Sequence, residues 1–203
     1  MVTDHRAVAA AEACQRDIDA MGDLPLPVRR HLVRDLAGLL DDATAPVFIA
    51  QLGLLSAQRV WPAWQSAFPD ESRPMDLAQT AVAAAGRLAE AAKHRRELDA
   101  VATYLDNKIL LGREHLTAVY AGWAAWAAAR DAIAGNHDGP PPGESELEVS
   151  PQEWEPSFYG SAAQSGGASW DRTGSPARRR EFWEWYLATA VPEAFSAAVA
   201  QQG

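Results

Sequence analysis

The stretch LTAVYAGWAAWAAARDAIAG, residues 116–135, decides the fold. Leu116, Val119, Tyr120, Trp123, Trp126 and Ile133 fall at spacings of three, four and seven, one face of a helix with 3.6 residues per turn. The positions between them are mostly alanine, the strongest helix former. Gly135 and Asn136 then end the run. Nothing in it alternates with the period of two that a strand requires.

Working outward, the same pattern recurs along the 203-residue chain. Ala7, Ala11, Cys14, Ile18 and Met21 make a stripe over roughly residues 4–21, stopped by Gly22. Pro25 and Pro27 introduce a helix with Val28, Leu32, Leu36 and Leu39 on its inner face; Arg29, Arg30 and Arg34 lie off that stripe and are expected to face water. Val47 to Trp64 follows Pro46, apolar on most sides as a central helix is, with Pro62 expected to kink or end it. A strand over Val47–Leu55 is the alternative, but no second strand candidate is available to pair with it. Ser72-Arg73-Pro74 reads as a cap with proline in the first turn. Beyond it run the stripes Leu77, Ala81, Ala84, Leu88 and Leu98, Val101, Leu105, Ile109, separated by the basic surface Lys93-His94-Arg95-Arg96 and closed by Gly112. The fold expected is all-α, a compact multi-helix bundle of about seven or eight helices, forming one domain over residues 1–203.

Residues 136–149 break the pattern. Gly139-Pro140-Pro141-Pro142-Gly143 excludes a helix and predicts an exposed Pro/Gly loop. Ser150-Pro151-Gln152-Glu153 has the form of a capping box opening the helix that carries Trp154, Phe158 and Tyr159, with Pro156 forcing a kink or restart and Ser165-Gly166-Gly167 ending it. Ser175-Pro176 caps a last helix from Ala177 to about Ala190, which Pro192 should bend or break.

Chemistry is scarce. The five histidines, His5, His31, His94, His115 and His137, fall on separate segments, and Glu90 with His94 supplies too few ligands for a metal. No phosphate-cradling glycine loop, His-Glu-x-x-His motif or nucleophile elbow is present. Ser161 and Ser165 read as part of a helix end, Asp17/Asp19 and Asp41/Asp42 as solvated acids, and Cys14 as a structural thiol on an apolar stripe. One cysteine excludes an internal disulfide. The sequence therefore predicts neither catalysis nor a cofactor nor a metal. It has no run of 18 apolar residues, hence no membrane span, and no signal-peptide pattern, so a cytoplasmic location is expected. A net charge of −9 argues against nucleic-acid binding.

That charge is concentrated. Between Arg130 and Arg172 there is no lysine or arginine, and the interval holds eight acids. Glu144, Glu146, Glu148, Glu153 and Glu155 have no cationic neighbour in sequence and are the candidate partner-binding residues. The other distinctive stretch is Arg178-Arg179-Arg180-Glu181-Phe182-Trp183-Glu184-Trp185-Tyr186-Leu187. Its aromatics sweep an arc of roughly 200° around a helix. Phe182, Trp183, Trp185 and Tyr186 are read as an aromatic core, since such an arc left bare would aggregate; an exposed anchor for a partner is the alternative.

This block, with what precedes it, resembles the fifth family of immunity proteins from bacterial polymorphic toxin systems. The matching features are Ala-Val-Tyr-Ala-Gly-Trp-Ala-Ala at 118–125, the acidic Pro-containing connection after it, and Trp154 with Ser157-Phe158-Tyr159. Gly-Gly-Ala at 166–168 with Trp170 follows, then 179–187 with Ala190-Val191-Pro192. The chain departs from the family at Phe195, where a tryptophan is usual, and at Pro156. The resemblance implies an all-α inhibitor, without catalytic residues, that protects the producing cell by binding a cognate bacterial toxin. If the acidic interval is the contact, that toxin has a basic surface. A helical adaptor or oligomerisation module would carry the same stripes.

Overall fold

In the computed structural model, which describes residues 5–110, 112–135, 145–171 and 173–201, no strand occurs among the described residues. The α-helices are α1 (His5–Cys14), α2 (Leu26–Ala37), α3 (Ala45–Ala67), α4 (Arg73–Ala83), the single turn α5 (Leu88–Ala91), α6 (Arg95–Ile109), α7 (Leu116–Ala134), α8 (Pro156–Ser165), α9 (Pro176–Trp185) and α10 (Val191–Val199). A π-helical turn, Tyr186–Ala190, joins α9 to α10. Counting 176–199 as one helix and setting α5 aside leaves eight among the described residues.

The bundle is built around α7, which packs along α3, α8, α4 and α6. Thirteen of its nineteen residues are buried, so it is enclosed on nearly all sides. The alanines make this possible, because a methyl lets neighbouring backbones approach closely. Gly122 does so further. A Cβ there would lie 2.5 Å from a ring carbon of Trp64 and 2.7 Å from Leu105. The Trp64 ring is fully buried, and its indole N–H donates to the Glu71 carbonyl at 2.6 Å, so it has little freedom to yield. Gly122→Ala should therefore destabilise by about 1–3 kcal/mol despite alanine's better helix propensity, measured as a lowered midpoint of thermal unfolding.

Val47–Leu55 is helical, which disposes of the strand alternative. Pro62 does not end α3, which continues to Ala67. It lies on the exposed side, where water can meet the carbonyl that loses its helical donor. Pro192 likewise does not end the last helix. The wider π turn before it leaves Pro192 in the first turn of α10, where a missing N–H costs nothing. The Leu77–Leu88 stripe is broken instead, since α4 stops at Ala83.

Two expected caps have other partners. The Ser72 hydroxyl donates to Asp76 at 2.6 Å and that of Ser150 to the Gln152 side chain at 2.6 Å. The Ser150 segment forms only a 3-10 turn, Pro151–Glu153, and α8 begins at Pro156. Ser175 does cap α9, accepting from the Arg178 N–H. Gly135 and Gly166 close α7 and α8 in the left-handed conformation. Residues 136–144 of the expected loop, Glu144 included, lie outside the described residues.

Candidate partner-binding face

Arg29 is not at the surface. It sits on α2 between Leu26 and Leu32, both buried, and is itself fully buried. Every arm of its guanidinium is used. Nε donates to Glu155 at 2.8 Å, Nη1 to the Leu24 carbonyl and Nη2 to Glu146. Its face lies 4.9 Å from the Trp183 ring centre and 5.9 Å from that of Phe158. Burial alone would lower its pKa, but Glu155, Glu146 and Asp23 outweigh that and hold it above the ordinary arginine value. Arg30 adds a contact to the other Glu155 oxygen at 3.3 Å.

These arginines strap the acidic segment to the bundle. Two of the five candidate carboxylates, Glu146 and Glu155, thus point inward to an internal cation. From the other side Arg130 on α7 donates to the carbonyls of Gln152 and Trp154, the latter at 3.1 Å. The Tyr159 hydroxyl donates to the Pro151 carbonyl at 2.6 Å, and burial pushes its pKa above the usual phenol value. The Trp154 indole donates to the Glu146 carbonyl at 2.9 Å. Glu148 and Glu153 are exposed; Glu148 accepts from the Ser145 N–H.

A second buried guanidinium holds the neighbouring turns. Arg179 on α9 donates to the carbonyls of Met21, at 2.8 Å, and of Gly167 and Ala168, at 3.1 and 3.0 Å. Arg180 donates to the Asp19 carbonyl. The 19–24 turn lies so close to α9 that a Cβ on Gly22, whose φ is 73°, would sit 2.1 Å from the Pro176 carbonyl oxygen. Asp23, buried beside Arg29, accepts the Trp183 indole N–H at 2.8 Å; burial raises its pKa, with Arg29 opposing.

Of the aromatic block, Phe182, Trp183 and Tyr186 are buried. Burial pushes the Tyr186 phenol well above its usual pKa. Trp185 is only half-buried and stacks under the Arg59 guanidinium at 5.1 Å.

What the sequence did not single out is a set of exposed apolar side chains on the strapped turns. Leu147 is 70% exposed, Met21 48% and Trp170 40%. Leu147 adjoins Glu146, whose carbonyl holds Trp154. Trp154 lies 5.7 Å from Trp170, which stacks on Phe158 at 5.5 Å. Met21 and Ala168, two residues before Trp170, share the Arg179 guanidinium. Between Asp19–Pro27 and Ser145–Glu146 runs a groove of about 270 Å³. The sequence predicts Met21 on the inner stripe of the first helix, but α1 ends at Cys14, so the stripe does not extend to it.

Among the described residues no cluster of three or more histidine, cysteine, aspartate or glutamate side chains could hold a metal ion, and no helix is long and apolar enough to cross a membrane. The family model for immunity protein Imm5 matches residues 12–193. The chain belongs to the Imm5 immunity-protein family. That span takes in both buried arginines, the acidic segment and the whole aromatic block, so the Imm5 match covers the strapped face as well as the helical core. No curated protein matches the chain.

Proposed function

We propose that this protein binds and neutralises a cognate bacterial toxin stoichiometrically, in the cytoplasm of the cell that makes the toxin. The observation that carries this reading is the immunity-protein match across residues 12–193. An inhibitor of this kind needs a rigid surface rather than a reactive one. The described residues supply rigidity, since their most deeply buried charges are spent on holding turns in place. With a net charge of −9 and Glu148 and Glu153 facing outward, the surface suits a cationic toxin. Catalysis plays no part in the mechanism, which is occlusion.

The test is co-expression in a sensitive host with the toxin encoded by the adjoining gene. Growth should be restored, and the two proteins should co-purify as one complex of fixed stoichiometry. Continued killing, with no complex at micromolar concentrations, would count against the reading.

A further inference from the structure

We infer that Met21, Leu147 and Trp170, rimmed by Asp19, Glu148 and Glu153, form the surface that docks onto a basic face of the cognate toxin. This rests on the function proposed above and adds the site of contact.

Three observations lead there. The first is convergence. Side chains far apart in sequence are exposed on three turns that hydrogen bonds and ring contacts tie together. Arg179 joins the Met21 turn to Gly167-Ala168, and the Trp154 indole joins the Glu146-Leu147 turn to the Trp170 ring. Elsewhere among the described residues, the exposed large apolar side chains are the neighbours Ile109 and Leu110 at the end of α6 and the isolated Leu39. Tryptophan and methionine are enriched where proteins meet, and a few such anchors carry most of a binding energy.

The second is preorganisation. These residues sit on turns rather than helices, and turns are ordinarily the more mobile parts. Here Arg179 fixes the carbonyls of Met21 and Ala168, Arg29 that of Leu24, and the Trp154 indole that of Glu146. A surface already held in place loses less entropy when it binds.

The third is charge. Of the cations nearest the patch, Arg29 and Arg179 are 0% and 1% exposed, while the half-buried Arg180 and Arg130 have their guanidinium groups on the carbonyls of Asp19 and of Gln152 and Trp154. The carboxylates of Asp19, Glu148 and Glu153 are in exposed residues. Three exposed carboxylates thus face two half-buried arginines, which leaves the rim net negative toward solvent. Apolar centre and acidic rim together describe the complement of a basic protein surface with apolar patches. The rim would set the association rate, and the centre the lifetime of the complex.

The experiment uses the full chain and the purified toxin domain encoded by the adjoining gene, with binding followed by calorimetry and by stopped-flow at two ionic strengths. Met21→Arg with Leu147→Arg should weaken binding at least about 100-fold, as loss of central anchors does. The circular-dichroism melt should stay parental, because both side chains are largely exposed. Glu148→Lys with Glu153→Lys should slow association about tenfold at low salt and flatten its salt dependence. Leu110→Arg should bind as the parent does. In the complex, amide exchange should slow at 145–149 and 168–171.

If the parent binds and protects but the Met21/Leu147 variant does both equally well, the docking surface is elsewhere while the immunity function stands. If Leu110→Arg abolishes binding and the Met21/Leu147 variant does not, the end of α6 is the site. If the free protein sediments as a dimer that the Met21/Leu147 variant dissociates, the occupant is a second copy of this chain. If the parent itself neither binds nor protects, the function and this surface fail together.

Discussion

Arg29→Ala should cost about 3–5 kcal/mol of stability, the usual consequence of removing one partner from a buried charged network. The loss has identifiable parts. Glu146 and Glu155 would face each other without the cation that now separates them. The Leu24 carbonyl would lose its donor, and the Trp183 and Phe158 rings would lose the guanidinium lying over them. The 145–155 segment should loosen first, since Arg29 holds both of its ends; Arg130 would still hold the carbonyls of Gln152 and Trp154. Urea unfolding gives the size of the loss, and amide exchange gives its location. Arg29→Met restores side-chain volume but not charge, so it should remain well below the parent. Adding Glu146→Gln and Glu155→Gln to Arg29→Met should recover much of the difference, because the uncompensated carboxylates are then gone. A parental melt for Arg29→Ala would mean that the strap is held by Arg130 and the aromatic contacts alone.

The helical frame could be read from the sequence because its determinants are local. Periodicity three and four, alanine content and glycine stops act within a few residues, and 116–135 carries all of them. Glycines 135 and 166 end helices where the pattern says they should. The departures among the helix ends fall where a residue's immediate surroundings override a general rule. Pro62 and Pro192 break helices in general, yet one sits on a solvent-facing side and the other follows a π turn that absorbs it. Ser150 has the capping-box spacing, but Pro156 sets the true start of α8 six residues later.

The candidate face was far less legible. Arginine reads as surface in any hydrophobicity pattern, so the sequence points Arg29 to water, although Leu26, Arg29, Leu32 and Leu36 fall at spacings of three, three and four. That phase places Arg29 on the inner face, whereas the stripe through Val28 places it outside. The acidic interval, conversely, has no cation in its own sequence, but helix α2 brings two to it from more than a hundred residues away. Two of the five glutamates chosen for a partner are thereby satisfied at home, and the exposed apolar residues beside them carry no pattern that a sequence displays.

Trp183→Ala should destabilise by about 3–5 kcal/mol, the range for truncating a fully buried large aromatic. Volume is only one contribution. The indole N–H is the donor to Asp23, and without it a buried carboxyl loses a partner while keeping its desolvation cost. The ring also meets Phe182 at 5.1 Å and Tyr186 at 5.4 Å, both edge-to-face, so its loss leaves two further aromatics without a wall. Trp183→Phe separates the contributions, since it keeps most of the volume and loses the donor; it should fall between parent and alanine variant. Trp185→Ala is the contrast. That ring is half-buried under Arg59, and its loss should cost roughly 1 kcal/mol, the scale of a partly exposed cation–π pair. Because Trp183 and Arg29 touch, the double variant Arg29→Ala with Trp183→Ala should lose less than the sum of the single losses, by about 1 kcal/mol or more. Strict additivity in urea unfolding would show that the arginine strap and the aromatic core are energetically separate.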